Sequence, residues 1–306
     1  MRSAANRLIS FVVLLMAWFC GAGTAGAADL PIKPAPIVLP PQPPADVWRF
    51  TVTPYFWAPS LNGTATIRGR TADVDLTFLD MVEHSRIPKD LFGLMGYLEA
   101  RKGPWSLFTD LVYFQISHSA SAFRERSLAP GISGEIAASA EATIRMFIGE
   151  AAAAYEIARF GTPAAYSAFD VYAGLRGWWQ EASASLAISA QLDIGDLEIS
   201  RNRAIARSGD VSWVDPLIGL RWRYRFAPDK ELVVRGDVGG FGVGSDISWQ
   251  AIAMFDWEFC RSESVVWKAV LGYRALSVDY SQGSGRTLYE WDVVQHGPIF
   301  GISATF

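Results

Sequence analysis

The sequence predicts an all-β fold, an antiparallel up-and-down transmembrane barrel of ten strands, and three observations carry that expectation. Segments with a hydrophobic period of two recur from residue 47 to the end. Half of the residues are hydrophobic and 12 are Trp, yet no run of 18 apolar residues follows residue 28. A chain so apolar without a helical span is left with the other spanning solution, a closed barrel. The last segment is the clearest: Phe300, Ile302, Ala304 and Phe306 alternate with Gly301, Ser303 and Thr305. One apolar face and one small polar face suit a strand between lipid and lumen.

Residues 1–27 read as a cleaved secretory signal. Arg2 and Arg7 precede the apolar core Leu8–Phe19, and Ala25-Gly26-Ala27 is a small-x-small cleavage site. The core is too short for a membrane helix, which needs about 20 residues. Residues 28–46 read as a linker, because seven prolines between Pro31 and Pro44 hold the chain extended. Residues 47–306 form the barrel. The formal charge of the whole chain is −4, and the removed segment carries two Arg and no acid. So acidic a mature chain gives no basis for nucleic-acid binding.

The strands follow in order. Trp48, Phe50, Val52, Pro54 and Phe56 face one way, with Arg49, Thr51, Thr53 and Tyr55 opposite. Gly63–Arg68 and Ala72–Thr77 form either a hairpin within an outer loop or two further spanning strands, which would make twelve. Their length favours the hairpin, since a tilted spanning strand needs about 9–11 residues. Residues 78–88 suggest a short helix, ended by Pro88, that covers or enters the mouth. Alternating segments then run over 92–101, 105–113, 138–158, 169–179, 218–226, 231–243, 247–259, 265–280 and 288–306. Links near 102–104, 159–168, 227–230 and 260–264 are short; those at 119–137 and 188–211 are long. Short periplasmic turns opposite long outer loops place both termini in the periplasm. Trp48, Trp105, Trp257 and Trp267 fall near the short turns, and Trp57, Trp179, Trp213, Trp249 and Trp291 towards the other ends. These two sets are expected to form the aromatic girdles of a barrel.

At this point the chain resembles the small outer-membrane surface-antigen barrels of Gram-negative bacteria. The likeness rests on Ala27-Ala28-Asp29-Leu30-Pro31, the Pro-rich lead-in and the strand ending at Phe306. It implies a location in the outer membrane, with contacts to lipid and lipopolysaccharide. It also implies that Phe300, Ile302, Ala304 and Phe306 are read by the barrel-assembly machinery. It carries no catalytic motif, and such a fold hosts varied roles.

Alternation assigns charges to the inside. Arg221, Arg223 and Arg225 share one face of a strand, as do Arg235 and Asp237, and Asp256 and Glu258. Lys268, Arg274, Glu99, Arg101, Asp110, Glu150, Asp170 and Arg176 point inward as well. Facing lipid, each Arg or Lys would cost about 2–4 kcal/mol at mid-membrane. Two readings stay open: a lumen filled by a charged network, or a narrow channel whose Arg ladder favours anions. Ten strands, little wider than the eight that side chains can fill, favour the filled lumen.

Catalysis has little support. His84 falls in the loop helix and His296 opens the last strand. His118 lies beside Ser119, but successive strand residues face opposite ways. The glycines of 239–244 lack the Lys and following helix of a phosphate loop. No cofactor and no metal-ligand cluster is expected. The expected role is non-enzymatic, structural or surface-exposed, with an outer-leaflet lipid enzyme a distant alternative.

Overall fold

A computed structural model describes residues 47–67, 70–83, 91–129, 132–194 and 197–306. The signal segment and linker expected over 1–46 lie outside the described residues. The elements in order are β1 (Arg49–Trp57), β2 (Ser60–Ile67), β3 (Arg70–Leu76), α1 (Phe78–Glu83), β4 (Leu91–Lys102), β5 (Trp105–Ala129) and β6 (Ile132–Gly161). They continue as β7 (Tyr166–Ile194), β8 (Leu197–Ala227), β9 (Lys230–Gly239), β10 (Ile247–Arg261), β11 (Val266–Gln282) and β12 (Tyr289–Thr305).

Ten of these strands close on themselves. β1 pairs with β4, each later strand pairs with the next, and β12 returns to β1. At the seam Thr51 stands opposite Thr305 and Trp57 opposite Ile299. Closure leaves the membrane-level backbone without an edge, which hydrocarbon demands. β2 is not an eleventh spanning strand. It continues the direction of β1 along the upper half of β12, from Ser60 opposite His296 to Ile67 opposite Tyr289, and β3 folds back on it. The hairpin therefore heightens the wall of a ten-stranded barrel.

β1 gives way to β2 at Ala58-Pro59, where the Ala58 N–H still bonds the Pro298 carbonyl at 3.0 Å. Gly297 permits this close passage, since a Cβ there would overlap the Ala58 carbonyl oxygen. Gly297→Ala is expected to cost about 1–3 kcal/mol through overpacking. A lower urea midpoint of the folded barrel would register it.

At one end the links are short: Gly103-Pro104, 162–165, Pro228-Asp229 and 262–265. At the other, the segments expected to be long loops are strand instead. β5 and β6 stay paired up to Ala129 opposite Ile132, and β7 and β8 up to Ile194 opposite Leu197. The physical reason is in the composition. Residues 119–137 and 188–211 are rich in Ala, Ser and Ile, and their Ser133-Gly134 and Ser208-Gly209 pairs are carried within strands that stay paired before and after them. At about 3.3 Å per residue, the 30 residues of β6 reach about 100 Å, far beyond a bilayer. β9 is shorter than expected and ends at Gly239, the glycine-rich stretch forming the turn to β10. α1 is described over Phe78–Glu83, and the rest of the helix expected to reach 88 lies outside the described residues.

The outer face carries an apolar band with defined limits. On β6 it runs from Ile157 through Tyr155 to Phe147. Immediately above, Arg145 bonds Gln115 at 3.1 Å and Glu181 at 3.1 Å across the two neighbouring strands. On β12 it runs from Phe306 to Pro298, and above it His296 bonds Tyr273 at 2.7 Å and Asn62 at 2.9 Å. Both stretches match the length of a tilted spanning strand.

Above the band, Asp279 and Asp292 stand directly opposite each other on β11 and β12. Partial burial, together with Asp292, Asp246 and Glu290, holds the Asp279 carboxyl above its usual range. The native state therefore holds this proton more tightly than the unfolded chain does. Its favourable contribution is present below the ordinary carboxylate pKa and is lost as pH rises through the raised one. Asp279→Asn should stabilise the barrel at neutral pH and leave it unchanged in acid, as urea midpoints at the two pH values would show.

Candidate functional site in the barrel interior

Inward-facing side chains divide the lumen into three strata, and each is crossed by contacts between strands that are not neighbours.

The stratum nearest the short turns is ionic. Asp170 on β7, only 1% exposed, accepts from Arg221 at 2.7 Å and Arg223 at 3.0 Å, and pairs with Arg101 at 3.4 Å. Arg221 on β8 reaches across to Glu99 on β4 at 3.1 Å and to Ser106 Oγ at 2.9 Å. Beside them Glu231 accepts from Tyr166 at 2.8 Å and Arg225 at 3.0 Å, while Lys268 lies between Glu231 and Asp256.

The middle stratum mixes ions with tyrosines. Arg176 is wholly buried and bonds Glu150 and Asp237, both at 2.7 Å. Arg235 on β9 spans the lumen to Asp110 on β5 at 2.7 Å and meets Glu150 at 3.3 Å. Arg274 on β11 also reaches Asp110, at 3.3 Å, and Tyr55 donates to that carboxylate. Gln250 donates to both Glu150 and Asp237 at 3.1 Å. Tyr172 donates to Asp237 at 3.0 Å, with its ring lying where a Cβ at residue 219 would be. Gly219 thus makes room for that tyrosine. Each ion meets two or more partners, as charges withdrawn from water must.

The upper stratum is apolar. Trp57, Trp178, Trp213, Trp291, Met95, Met146, Ile148, Leu276, Val278 and Val293 form one buried cluster. Trp213 is stacked between Trp178 at 5.5 Å and Tyr280 at 3.9 Å. Met81 of α1 joins the cluster, so the helix does enter the mouth. Arg274 links this stratum to the ions below, its guanidinium 4.8 Å over the Trp57 ring. Asp215 closes one side. Wholly buried, it accepts from Trp178 Nε1 at 3.0 Å, Ser245 N at 2.7 Å and Ser245 Oγ at 2.8 Å. That ties the β9–β10 turn to β8. Asp215→Ala orphans those donors, and a loss of about 1–3 kcal/mol is expected in urea unfolding.

The placement of the sequence-derived residues follows. Arg221, Arg223, Arg225, Arg235, Asp237, Asp256, Lys268 and Arg274 all point into the lumen and are paired there. Glu258 does not reach the network; it follows Asp256 at the short-turn rim, beside a bulge, and pairs with Arg261 at 2.6 Å. Phe300 on β12 and Phe306 just beyond it are exposed on the outer face, while in the same row Ile302 is half-buried and Ala304 buried. Trp57, Trp213 and Trp291 are not girdle residues. They sit on inward positions and are 0%, 7% and 5% exposed, whereas Trp179 and Trp249 do face outward. His296 belongs to the polar row above the apolar band. His84 and the side chain of His118 lie outside the described residues. Sequence reasoning missed the tyrosine hydroxyls, Gln250, Glu231 and Asp215; the period of two puts each of them inward.

A closed antiparallel barrel with an apolar outer band and an ionic interior is the architecture of a transmembrane β-barrel. No family model and no curated protein matches the chain. Among solved structures it is similar to the translocator domain of the autotransporter NalP from Neisseria meningitidis, at 10% identity and TM-score 0.30, over 99% of this chain and 96% of that one. It is also similar to a Pseudomonas aeruginosa FadL homologue, at 7% identity and TM-score 0.26, over 85% and 89%. A third is the N-terminal β-barrel domain of Pseudomonas aeruginosa OprF, at 11% identity and TM-score 0.21, over 85% and 96%. At such scores these likenesses carry no argument; the fold assignment rests on the strand pairing itself.

Proposed function

We propose that this chain is a non-enzymatic outer-membrane barrel with a structural or surface-exposed role and a closed interior. One observation carries the reading: ion pairs join β4 to β8 and β5 to both β9 and β11 across the lumen, beneath a buried aromatic cluster. The Arg221–Arg223–Arg225 ladder is occupied by Glu99, Asp170, Glu156 and Glu231 rather than offered to passing anions. That favours the filled lumen over an anion channel. The cleaved signal, the periplasmic Pro-rich lead and short turns on the periplasmic side belong to the same reading. So do partners of three kinds: membrane lipid, lipopolysaccharide on the upper outer wall, and the assembly machinery acting on β12.

The test is expression in a Gram-negative host, followed by membrane fractionation and electrophoresis of heated and unheated samples. The wild type should reach the outer membrane fraction and shift in mobility on heating. Phe306→Ala should lower the folded outer-membrane amount severalfold. Folded protein in the inner membrane fraction would overturn the location, and an unchanged Phe306→Ala level would overturn the role of β12.

A further inference from the structure

We propose that the short-turn mouth of the barrel binds an oxyanion, a carboxylate or phosphate group, between Arg49, Arg101 and Arg159. Where the rest of the interior pairs its charges, this corner does not. Arg101, Arg159, Arg221 and Arg223 share three carboxylates, Glu99, Glu156 and Asp170. Glu156 alone serves Arg101 at 3.7 Å, Arg159 at 2.7 Å and Arg223 at 2.6 Å. A fifth guanidinium, Arg49, joins them and has no ion pair among the described residues. It stands directly opposite Arg101 in the β1–β4 register. Arg101, Arg223 and Arg159 are the charged groups that act on it, with the Tyr166 hydroxyl. Like charges facing each other across a strand pair repel. Five positive groups on three acids leave two charges uncompensated.

A second observation points the same way. Arg101 is only 8% exposed, and its buried Nη1 has no hydrogen-bond partner. The acid oxygen facing it, on Glu156, is 3.7 Å away, beyond hydrogen-bond length, and a buried guanidinium N–H is costly to leave without a hydrogen bond. Arg49, at the entrance, is solvent-exposed and free to close on a ligand. Tyr166 supports the far side: its ring lies 4.2 Å beneath the Arg159 guanidinium and 5.2 Å from that of Arg225. Arg49, which has no acid partner among the described residues, stands opposite Arg101, whose Nη1 has no hydrogen bond, and paired guanidinium groups of this kind suit recognition of a carboxylate or phosphate. The site stands whichever side of the membrane this end faces; the proposed orientation puts it in the periplasm. There the group would come either from a free anion or from an acidic polymer.

The test uses the full chain folded in neutral maltoside micelles, titrated calorimetrically at constant ionic strength in chloride. Inorganic phosphate is one probe and poly-glutamate the other. Saturable binding of either is expected, weakened at least tenfold in Arg49→Gln and severalfold in Arg159→Gln. Both side chains are exposed, and a preserved heat-dependent mobility shift verifies the fold of each variant. Binding of phosphate in the micromolar range identifies a small-anion site. Binding of poly-glutamate alone identifies a polymer site. Heats no larger than those of chloride for both probes, or equal affinity in wild type and Arg49→Gln, would overturn the proposal.

Discussion

Replacing Arg176 with leucine is expected to lower the unfolding free energy of the barrel by about 3–5 kcal/mol, the usual cost of removing one partner from a buried ion pair. Arg176 is fully withdrawn from solvent and holds Glu150 and Asp237 together, both at 2.7 Å. Without it Glu150 keeps Arg235 at 3.3 Å, but Asp237 retains only the neutral donors Tyr172 and Gln250. Two carboxylates then face each other in a dry interior. Urea titration of the refolded protein in phospholipid vesicles measures the loss. In the double variant Arg176→Leu with Asp237→Leu, part of the stability should return, because the stranded charge is gone. An unchanged midpoint for Arg176→Leu would mean that water reaches this stratum.

The second large effect is expected at Trp213. Trp213→Ala should cost about 3–5 kcal/mol, the range for truncating a buried aromatic residue. The ring is 7% exposed and stacked on both faces, by Trp178 and Tyr280. Tryptophan fluorescence in a urea series follows the change. Despite that loss, the variant should still not conduct ions, because the two ionic strata below remain in place. A conducting Trp213→Ala variant would assign the seal to the aromatic layer alone.

Much of the barrel could be read from the period of two. It assigned Arg221, Arg223 and Arg225 to one face, and the structure has all three inside with Asp170, Glu156 and Glu231. The same rule puts Trp57 on the face of Tyr55, and therefore inside. Sorting the tryptophans by height along the strands, rather than by face, is what placed Trp57, Trp213 and Trp291 in the girdle. Hairpin ends were harder. Ala- and Ser-rich stretches carry weak strand propensity, and Ser133-Gly134 and Ser208-Gly209 look like turns, so 119–137 and 188–211 read as loops although both pairs lie within strands. Cross-lumen pairing could not be read at all. That Arg235 meets Asp110 depends on which strands the closed, tilted barrel sets opposite each other, and no local pattern encodes it.

The closed interior is the central claim, and single-channel recording in planar bilayers tests it most directly. The folded, heat-modifiable wild-type protein should insert without discrete conductance steps in either chloride or phosphate salts. Reproducible, salt-dependent steps, with a selectivity altered when Arg221, Arg223 and Arg225 are replaced by glutamine, would contradict the account and establish a conducting lumen.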